Sequence, residues 1–330
     1  MQPIETFLEL GKLLAGGNIP SDVVSHAVYD NEWFEKKSIT DAVVAIADRL
    51  LVPDILQRWI SKYPKTVKNS RRVGIVMAGN IPFVGFFDLM CVLISGNKAV
   101  VKFSDKDRAL MEWIAAQIQK IDPSMKIERL KEDAPLDAVI ATGSNNANRY
   151  FSSRYGNIPA LFRRNRTSVA VLDGKETDKE VADLWKDIFM YFGLGCRNVT
   201  HLFFPKGYDI NRVLSVWREK SYEIRHGGFI NNYRQCKALN LMKGDKFIDG
   251  GYFLLKEGEQ ALRNISELTF SFYDNETGIK KWLDEHEDSL QCVVSHGSFF
   301  ARTVAFGEAQ YPLPWDYPDG IDVMDFLQRL

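Results

Sequence analysis

The residue in this chain best placed to do covalent chemistry is Cys196, in the stretch Phe192-Gly193-Leu194-Gly195-Cys196-Arg197-Asn198-Val199. Gly193 and Gly195 can take backbone angles closed to other residues, so a sharp turn is expected that presents the thiol at its tip. Such a turn also leaves room for a substrate to approach the backbone amides. A nucleophilic cysteine needs access, thiolate character and donors for an oxyanion, and Arg197 would supply a positive field favouring the thiolate. Taken alone, the same letters describe ordinary turn chemistry beside a buried cysteine. The other cysteines compete poorly: Cys91 lies in an apolar helix, Cys292 in a strand, and Cys236 in a polar stretch with no evident role. No CxxC or Cys/His spacing occurs, which argues against zinc, and nothing suggests a disulfide framework, which fits a reducing cytoplasm. His201 follows in the next strand, and His226 precedes Gly227-Gly228 as either a proton donor or a satisfied surface histidine.

The elements that must position these groups alternate strand and helix. Strands are expected at Val73–Met77, Ala99–Phe103, Lys126–Leu130 and Ala138–Ala141, with helices at Val84–Ile94, Asp107–Ile121 and Asn145–Tyr155 between and after them. That order is the pattern of a parallel sheet covered on both faces. Ligands of such sheets bind beyond the carboxyl ends of the strands. Those ends carry Gly79-Asn80, Lys102-Phe103-Ser104 and Gly143-Ser144, which should face one crevice. Each has a plain structural reading too: Asn80 as a turn former before Ile81-Pro82, Lys102 as a solvated strand terminus, Ser144 as a helix N-cap.

A second α/β unit follows Pro159. Its strands are expected at Ser168–Leu172, Val199–Phe204, Gly250–Leu255, Glu267–Tyr273 and Leu290–Ser295, and its helices at Asp178–Tyr191, Ile210–Ser221 and Thr277–His286. Before the first strand come helices at Ile4–Leu14 and within Ile39–Ile60, then a basic linker. The last residues, from Phe306, are rich in proline and aromatics and end in a short helix at Ile321–Leu330.

Of 330 residues, 45% are hydrophobic and 26% charged, with a net charge of −1. The near balance argues against nucleic acid or a membrane surface as the main partner. Met1–Leu14 lacks a basic n-region and spaces its apolar residues like an amphipathic helix. The most apolar segment, Ile81–Ile94, is short and carries Asp88, so it suits a buried element better than a membrane span. A cytoplasmic protein is expected.

Taken together, the turns resemble those of the aldehyde dehydrogenase superfamily, whose members bind nicotinamide cofactors on a doubly wound sheet without a GxGxxG fingerprint. Gly79-Asn80-Ile81-Pro82-Phe83 resembles the family's Trp-Asn-Phe-Pro turn, which implies that Asn80 donates to the oxyanion. Gly96-Asn97-Lys98-Ala99-Val100-Val101-Lys102-Phe103-Ser104-Asp105 resembles Gly-Asn-x-x-Val-x-Lys-Pro-Ser-Glu. The resemblance implies that Lys102, Ser104 and Asp105 bind the cofactor, the lysine and the acid at its adenosine ribose. Ala141-Thr142-Gly143-Ser144 resembles Phe-Thr-Gly-Ser, implying that Gly143 and Ser144 open a helix at the cofactor phosphates. Gly195-Cys196 stands where the family keeps its nucleophile. Within the superfamily, the phrasing of Arg164–Leu172, Phe192–Val199 and Asp316–Asp322 resembles the acyl-CoA reductases related to the fatty-acid reductase of bacterial bioluminescence.

The implied organisation is two doubly wound α/β domains with a helical N-terminal segment and a C-terminal strap. Residues 1–70 form the helical segment, 71–165 the cofactor-binding domain, 166–295 the catalytic domain and 296–330 the strap, which bridges domains or subunits. The family's general-base glutamate is missing: the equivalent segment reads Phe162-Arg163-Arg164-Asn165-Arg166, with Phe162 at its position. Without that base a thioester intermediate is spared from water, which favours a thioester reductase over an aldehyde oxidase. The three arginines there either meet CoA or cofactor phosphates or form a salt-bridged connector. The expected reaction is reduction of an acyl-CoA, fatty acyl by preference, to an aldehyde through a Cys196 acyl-enzyme, with CoA as leaving group. NADPH is the implied cofactor. NADH is the alternative, because Asp105 would suit a 2′-hydroxyl, although Lys102 and Lys106 offset it. The acyl group comes from acyl-CoA or from a partner ligase or transferase, and a homo-oligomer is expected. Competing readings are a semialdehyde dehydrogenase reducing an acyl phosphate, a cysteine-dependent acyl transferase without redox chemistry, and a silent partner subunit.

Overall fold

The computed structural model of the chain describes residues 2–63, 69–259, 264–298 and 300–330. The backbone divides into two compact units, Met1–Asn165 with Pro312–Leu330, and Arg166–Tyr311.

The first unit begins with four helices: α1 (Pro3–Leu14), α2 (Ser21–Asp30), α3 (Lys36–Ala45) and α4 (Pro53–Ile60). In α1 the stripe Phe7, Leu10 and Leu14 is wholly buried, as the helical spacing requires. Helix α2 was not anticipated, since it buries only Ala27 and leaves Val28 and Tyr29 exposed, which blurs its apolar face. The expected run Ile39–Ile60 is interrupted before Pro53, whose missing N–H suits the first position of α4. There follow β1 (Arg72–Val76), α5 (Phe86–Ile94), β2 (Lys98–Lys102), α6 (Arg108–Ile121), β3 (Ile127–Arg129), β4 (Ala138–Thr142), α7 (Asn145–Tyr155) and β5 (Ala160–Arg163). The five strands form a parallel sheet in the order β3-β2-β1-β4-β5. Its central strands are buried on both faces, which explains their unbroken apolar runs. The order turns back between β1 and β4, so the ligand crevice of such a sheet lies at the carboxyl ends of these two strands. Strand β5 was not anticipated.

The second unit comprises β6 (Thr167–Val171), α8 (Asp178–Phe189), β7 (Val199–Pro205), α9 (Ile210–Ser221), α10 (Gly227–Lys243), β8 (Ile248–Asp249), β9 (Leu254–Glu257), β10 (Glu267–Tyr273), α11 (Glu276–Glu285), β11 (Leu290–Val294) and β12 (Thr303–Val304). Its sheet runs β12-β11-β6-β7-β10-β9-β8, parallel except for the antiparallel pair β8–β9. The single strand expected over Gly250–Leu255 is instead a hairpin whose corner is Gly250-Gly251, with Gly251 at φ 106°. Helix α10 escaped the sequence reading altogether. It buries Phe229, Tyr233, Cys236 and Asn240, while Leu239, Leu241 and Met242 face outward, so no apolar stripe stands out.

The tail divides where a single strap from residue 296 was expected. Asp187 in α8 accepts the amides of Gly307 (2.6 Å) and Ala309 (2.9 Å), fixing the first part to the second unit. The last part belongs to the first unit. Trp59 Nε1 donates to the Tyr317 hydroxyl (2.7 Å), Tyr63 donates to Asp322 (2.7 Å), and Arg163 donates to the Pro318 carbonyl (3.0 Å). The chain ends in α12 (Val323–Gln328), which packs on α5.

Candidate active site

Cys196 is exposed, whereas Cys91, Cys236 and Cys292 are buried. Burial pushes all three of those thiols up, which keeps them protonated and unreactive. The turn around Cys196 is closed by Asn198, whose backbone N–H donates to the Gly195 carbonyl at 3.2 Å. Cys196 and Arg197 therefore occupy the two corner positions. The fully buried Asn198 side chain does more. Its Oδ1 accepts the Gly195 amide at 2.8 Å, and its Nδ2 faces the carbonyls of Ile188 (3.0 Å), Met190 (2.9 Å) and Asp187 (3.3 Å). The carbonyls that α8 leaves unpaired at its end are thus tied to the cysteine turn. From β6, the buried Ser168 hydroxyl donates to the Cys196 carbonyl at 3.1 Å.

The backbone entering this turn is strained. Tyr191 (φ 55°), Phe192 (φ 56°) and Gly193 (φ 75°) are consecutive left-handed residues, and the first two are aromatic. Gly193 therefore meets the expectation of a special backbone angle, but Gly195 does not, its place being taken by Tyr191 and Phe192. The Phe192 ring packs on His226, 4.4 Å between centroids. His226 caps α10 by accepting the Phe229 amide at Nδ1 (3.2 Å), so its role in the fold is structural. His201 is wholly buried. Its two ring nitrogens meet the hydroxyls of Thr269 (2.8 Å) and Ser271 (3.0 Å), and burial lowers its pKa to about 4, leaving it neutral.

In the first unit the strand-end residues gather as their positions require. Asn80 is exposed on the turn after β1, and Lys102 is exposed at the end of β2, paired in register with Val76. A Cβ on Gly79 would collide with the Ser104 side chain, so glycine lets the β1 turn pack on the segment after β2. Asn31 donates to the Gly79 carbonyl at 3.0 Å and fixes the turn from the end of α2. Phe83 closes the turn in the left-handed region (φ 57°). Asp105 is exposed and ion-paired to Arg108. At β4, a Cβ on Gly143 would meet Ala147 and Phe151 at 2.8 and 2.9 Å, so only glycine lets α7 come this close. Ser144 caps α7, accepting the Ala147 amide at 3.2 Å.

The arginine stretch resolves on the side of structure for one member. Arg163 is 5% exposed in β5 and ion-paired with the buried Asp88 of α5, Nε to Oδ2 at 3.1 Å. Phe162 stands half-buried beside it, its ring 6.4 Å from that of Phe151. Among the described residues, Asp173, Glu176 and His296 offer ligand atoms within 4.8 Å of one another. His296 is already bonded to Glu180 (2.7 Å), and Glu176 accepts the amides of Asp173 and Gly174, which makes the group a satisfied ion-pair cluster. The sequence reading had not singled out Asn198, Ser168, Asn31 or Asp88. Asn198 carried the only available signal, since it completes a Gly-x-x-Asn turn around the cysteine.

The architecture is that of the aldehyde dehydrogenases. Aldehyde dehydrogenase 21 from Physcomitrella patens, solved in complex with the reaction product succinate, superposes with a TM-score of 0.71 at 11% identity, over 99% of this chain and 82% of its own. A mutant aldehyde dehydrogenase C from Pseudomonas syringae, complexed with NAD+ and octanal, gives 0.65 at 11% identity, over 90% and 72%. An oxidoreductase from Marinobacter aquaeolei gives 0.65 at 11% identity, over 95% and 78%. No curated relative matches in sequence. Residues 24–216, more than half of the chain, match the acyl-CoA reductase (LuxC) family, and the chain belongs to that family of aldehyde-related oxidoreductases. Among the described residues no helix is long and apolar enough to cross a membrane.

Proposed function

We propose that the protein reduces an acyl-CoA, with a fatty acyl chain, to the aldehyde through an acyl-enzyme on Cys196. The observation that carries this reading is the contrast among the cysteines: three are buried, and the fourth is exposed on a strained turn locked by Asn198. In the first half-reaction the Cys196 thiolate attacks the thioester carbon, and the CoA thiolate leaves with the electron pair of the broken C–S bond. The side-chain amide of Asn80 and the Cys196 backbone N–H serve as donors to the tetrahedral oxyanion. With Phe162 in place of the carboxylate base, the new thioester persists until it is reduced.

The residues at the strand ends fit a nicotinamide dinucleotide. The crevice between β1 and β4, the capped start of α7 at Ser144, and Gly143, beside which no side chain would fit, together suit a pyrophosphate. Lys102, Ser104 and Asp105 would hold the adenosine ribose. When bound, the reduced nicotinamide supplies the hydride that carries the thioester to an aldehyde. The pairing of Asp105 with Arg108 offsets its charge and supports NADPH over NADH, a preference that titration with both cofactors measures. A homo-oligomer, read out by light scattering, belongs to the same proposal.

The test is intact-mass spectrometry after mixing with a long-chain acyl-CoA. Wild type should gain one acyl group and lose it on addition of NADPH as aldehyde forms. Cys196→Ala should gain none, and turnover should fall by at least about 10³-fold. An adduct indifferent to NADPH and NADH would establish acyl transfer instead, and absence of any adduct would sink the reductase reading.

A further inference from the structure

Asp107 ends the segment after β2 and occupies the N-cap of α6. An aspartate there normally accepts an amide of the first turn of its own helix. This one makes no such bond. Its side chain is buried, with the residue 1% exposed, and faces the backbone N–H groups of Phe83 and Val84. These contacts fall short of ordinary hydrogen-bond geometry, so neither carboxyl oxygen has an established partner. Burial pushes the Asp107 carboxyl well above the usual range, while the two amides pull the other way. Leaving a carboxyl buried and unpaired is costly, and the helix cap next to it would have been the cheaper arrangement.

What the carboxyl faces gives the arrangement a use. Phe83 is the left-handed corner of the turn that begins at Gly79-Asn80. A phenylalanine holds that backbone region only where its surroundings force it to. Helix α6 presses on the corner twice: Trp113 meets the Phe83 ring at 6.4 Å in an edge-on contact, and the Asp107 carboxyl lies against the corner's amides without reaching hydrogen-bond geometry. Asn80 lies three residues upstream on the same short turn, with Pro82 limiting the slack between them.

We propose that Asp107 is a positioning residue for Asn80: its buried carboxyl, lying against the Phe83 and Val84 amides, helps α6 fix the left-handed corner and thereby sets the direction of the Asn80 side chain. The proposal rests on the reading of Asn80 as the oxyanion donor. It predicts coupling between two residues, one of them buried away from substrate, that stability alone would not produce.

The experiment is a double-mutant cycle on the rate of Cys196 acylation by acyl-CoA, followed by rapid quench and intact mass, with no nicotinamide present. Asn80→Ala should slow acylation about 100-fold. Asp107→Ala should slow it about tenfold in the wild-type background, and by less than about twofold on top of Asn80→Ala. Asp107→Asn, which keeps an acceptor oxygen, should restore the rate to within about threefold of wild type. Alkylation of Cys196 by iodoacetamide, which forms no oxyanion, should be unchanged in every variant. A tenfold loss in both backgrounds would overturn the proposal, because Asp107 would then act independently of Asn80. An Asn80→Ala variant as fast as wild type would remove the oxyanion reading and this proposal with it, while leaving the Cys196 adduct intact. Should Asp107→Ala not fold, Asp107→Ser, which can cap α6 but falls short of the Phe83 and Val84 amides, completes the same cycle.

Discussion

The turn that bears Cys196 and the turn that bears Asn80 are both built on left-handed aromatic residues, but they are held by different means. Three of the four left-handed non-glycine residues among those described fall in these two turns, Phe83 in one and Tyr191 and Phe192 in the other. Such strain persists only where the surroundings over-determine the backbone. Around Cys196 hydrogen bonds do this: Asn198 binds the Gly195 amide and the end of α8, and Ser168 binds the Cys196 carbonyl. Around Asn80 packing does more. Gly79 fits against Ser104 and Phe83 against Trp113, while the Asn31 side chain bonds the Gly79 carbonyl and Asp107 is the further clamp proposed above. The proposed nucleophile is thus held by a directional hydrogen-bond network and its proposed donor mainly by packing, so the two turns should fail differently when cut.

Cutting the network should have the largest effect. Asn198→Ala leaves the Gly195 amide and the carbonyls of Ile188 and Met190 without their partner in a buried site, at a cost of roughly 3 kcal/mol. Urea unfolding should register that loss, and Cys196 acylation should fall more than tenfold as the turn loosens. Asn198→Asp should be worse, because it keeps the acceptor but points a buried charge at carbonyl oxygens. At the other turn, Asn31→Ala removes one hydrogen bond, costing about 1 kcal/mol and slowing acylation a few-fold. If Asn31→Ala proved the more damaging of the two, the distinction between a bonded turn and a packed one would be broken.

The same distinction explains what was legible in the sequence. Unbroken apolar runs placed the central strands of both sheets and most helices, because burial on both faces leaves a strong signal, whereas the short strands β5, β8 and β12 left none. The strand-end glycines followed from that order. The helices that escaped were those whose burial lacks a stripe: α2, with little buried surface, and α10, whose outer face carries Leu241 and Met242. The glycine before Cys196 was overvalued, since Tyr191 and Phe192 carry the strain and nothing in an aromatic residue announces a left-handed backbone. The three arginines were ambiguous because the partner of Arg163, Asp88, lies in an apolar helix 75 positions away. Networks such as that of Asn198 depend on which carbonyls a fold leaves open, and that is a property of tertiary structure.

A smaller effect separates the turns by pH. Asp187, in the helix whose end Asn198 ties to the Cys196 turn, is fully buried, and burial raises its pKa to about 7 despite the amides of Gly307 and Ala309. The folded chain therefore holds a proton there that the unfolded chain releases near its ordinary value of about 4. This contribution to stability is present in full below about pH 4 and is lost as pH rises towards about 7. Asp187→Asn removes the titration and keeps one of the two acceptor oxygens, so the lost bond lowers its melting temperature by an amount that does not change with pH. Between pH 5 and pH 8 the melting temperature of wild type should fall by a few degrees more than that of Asp187→Asn, on the order of 2–4 °C per kcal/mol for a chain this size. Equal falls in the two proteins would mean that the Gly307 and Ala309 amides outweigh burial and keep Asp187 ionised throughout. The bonds that set the Cys196 turn would then extend, undiminished by pH, into the first part of the tail.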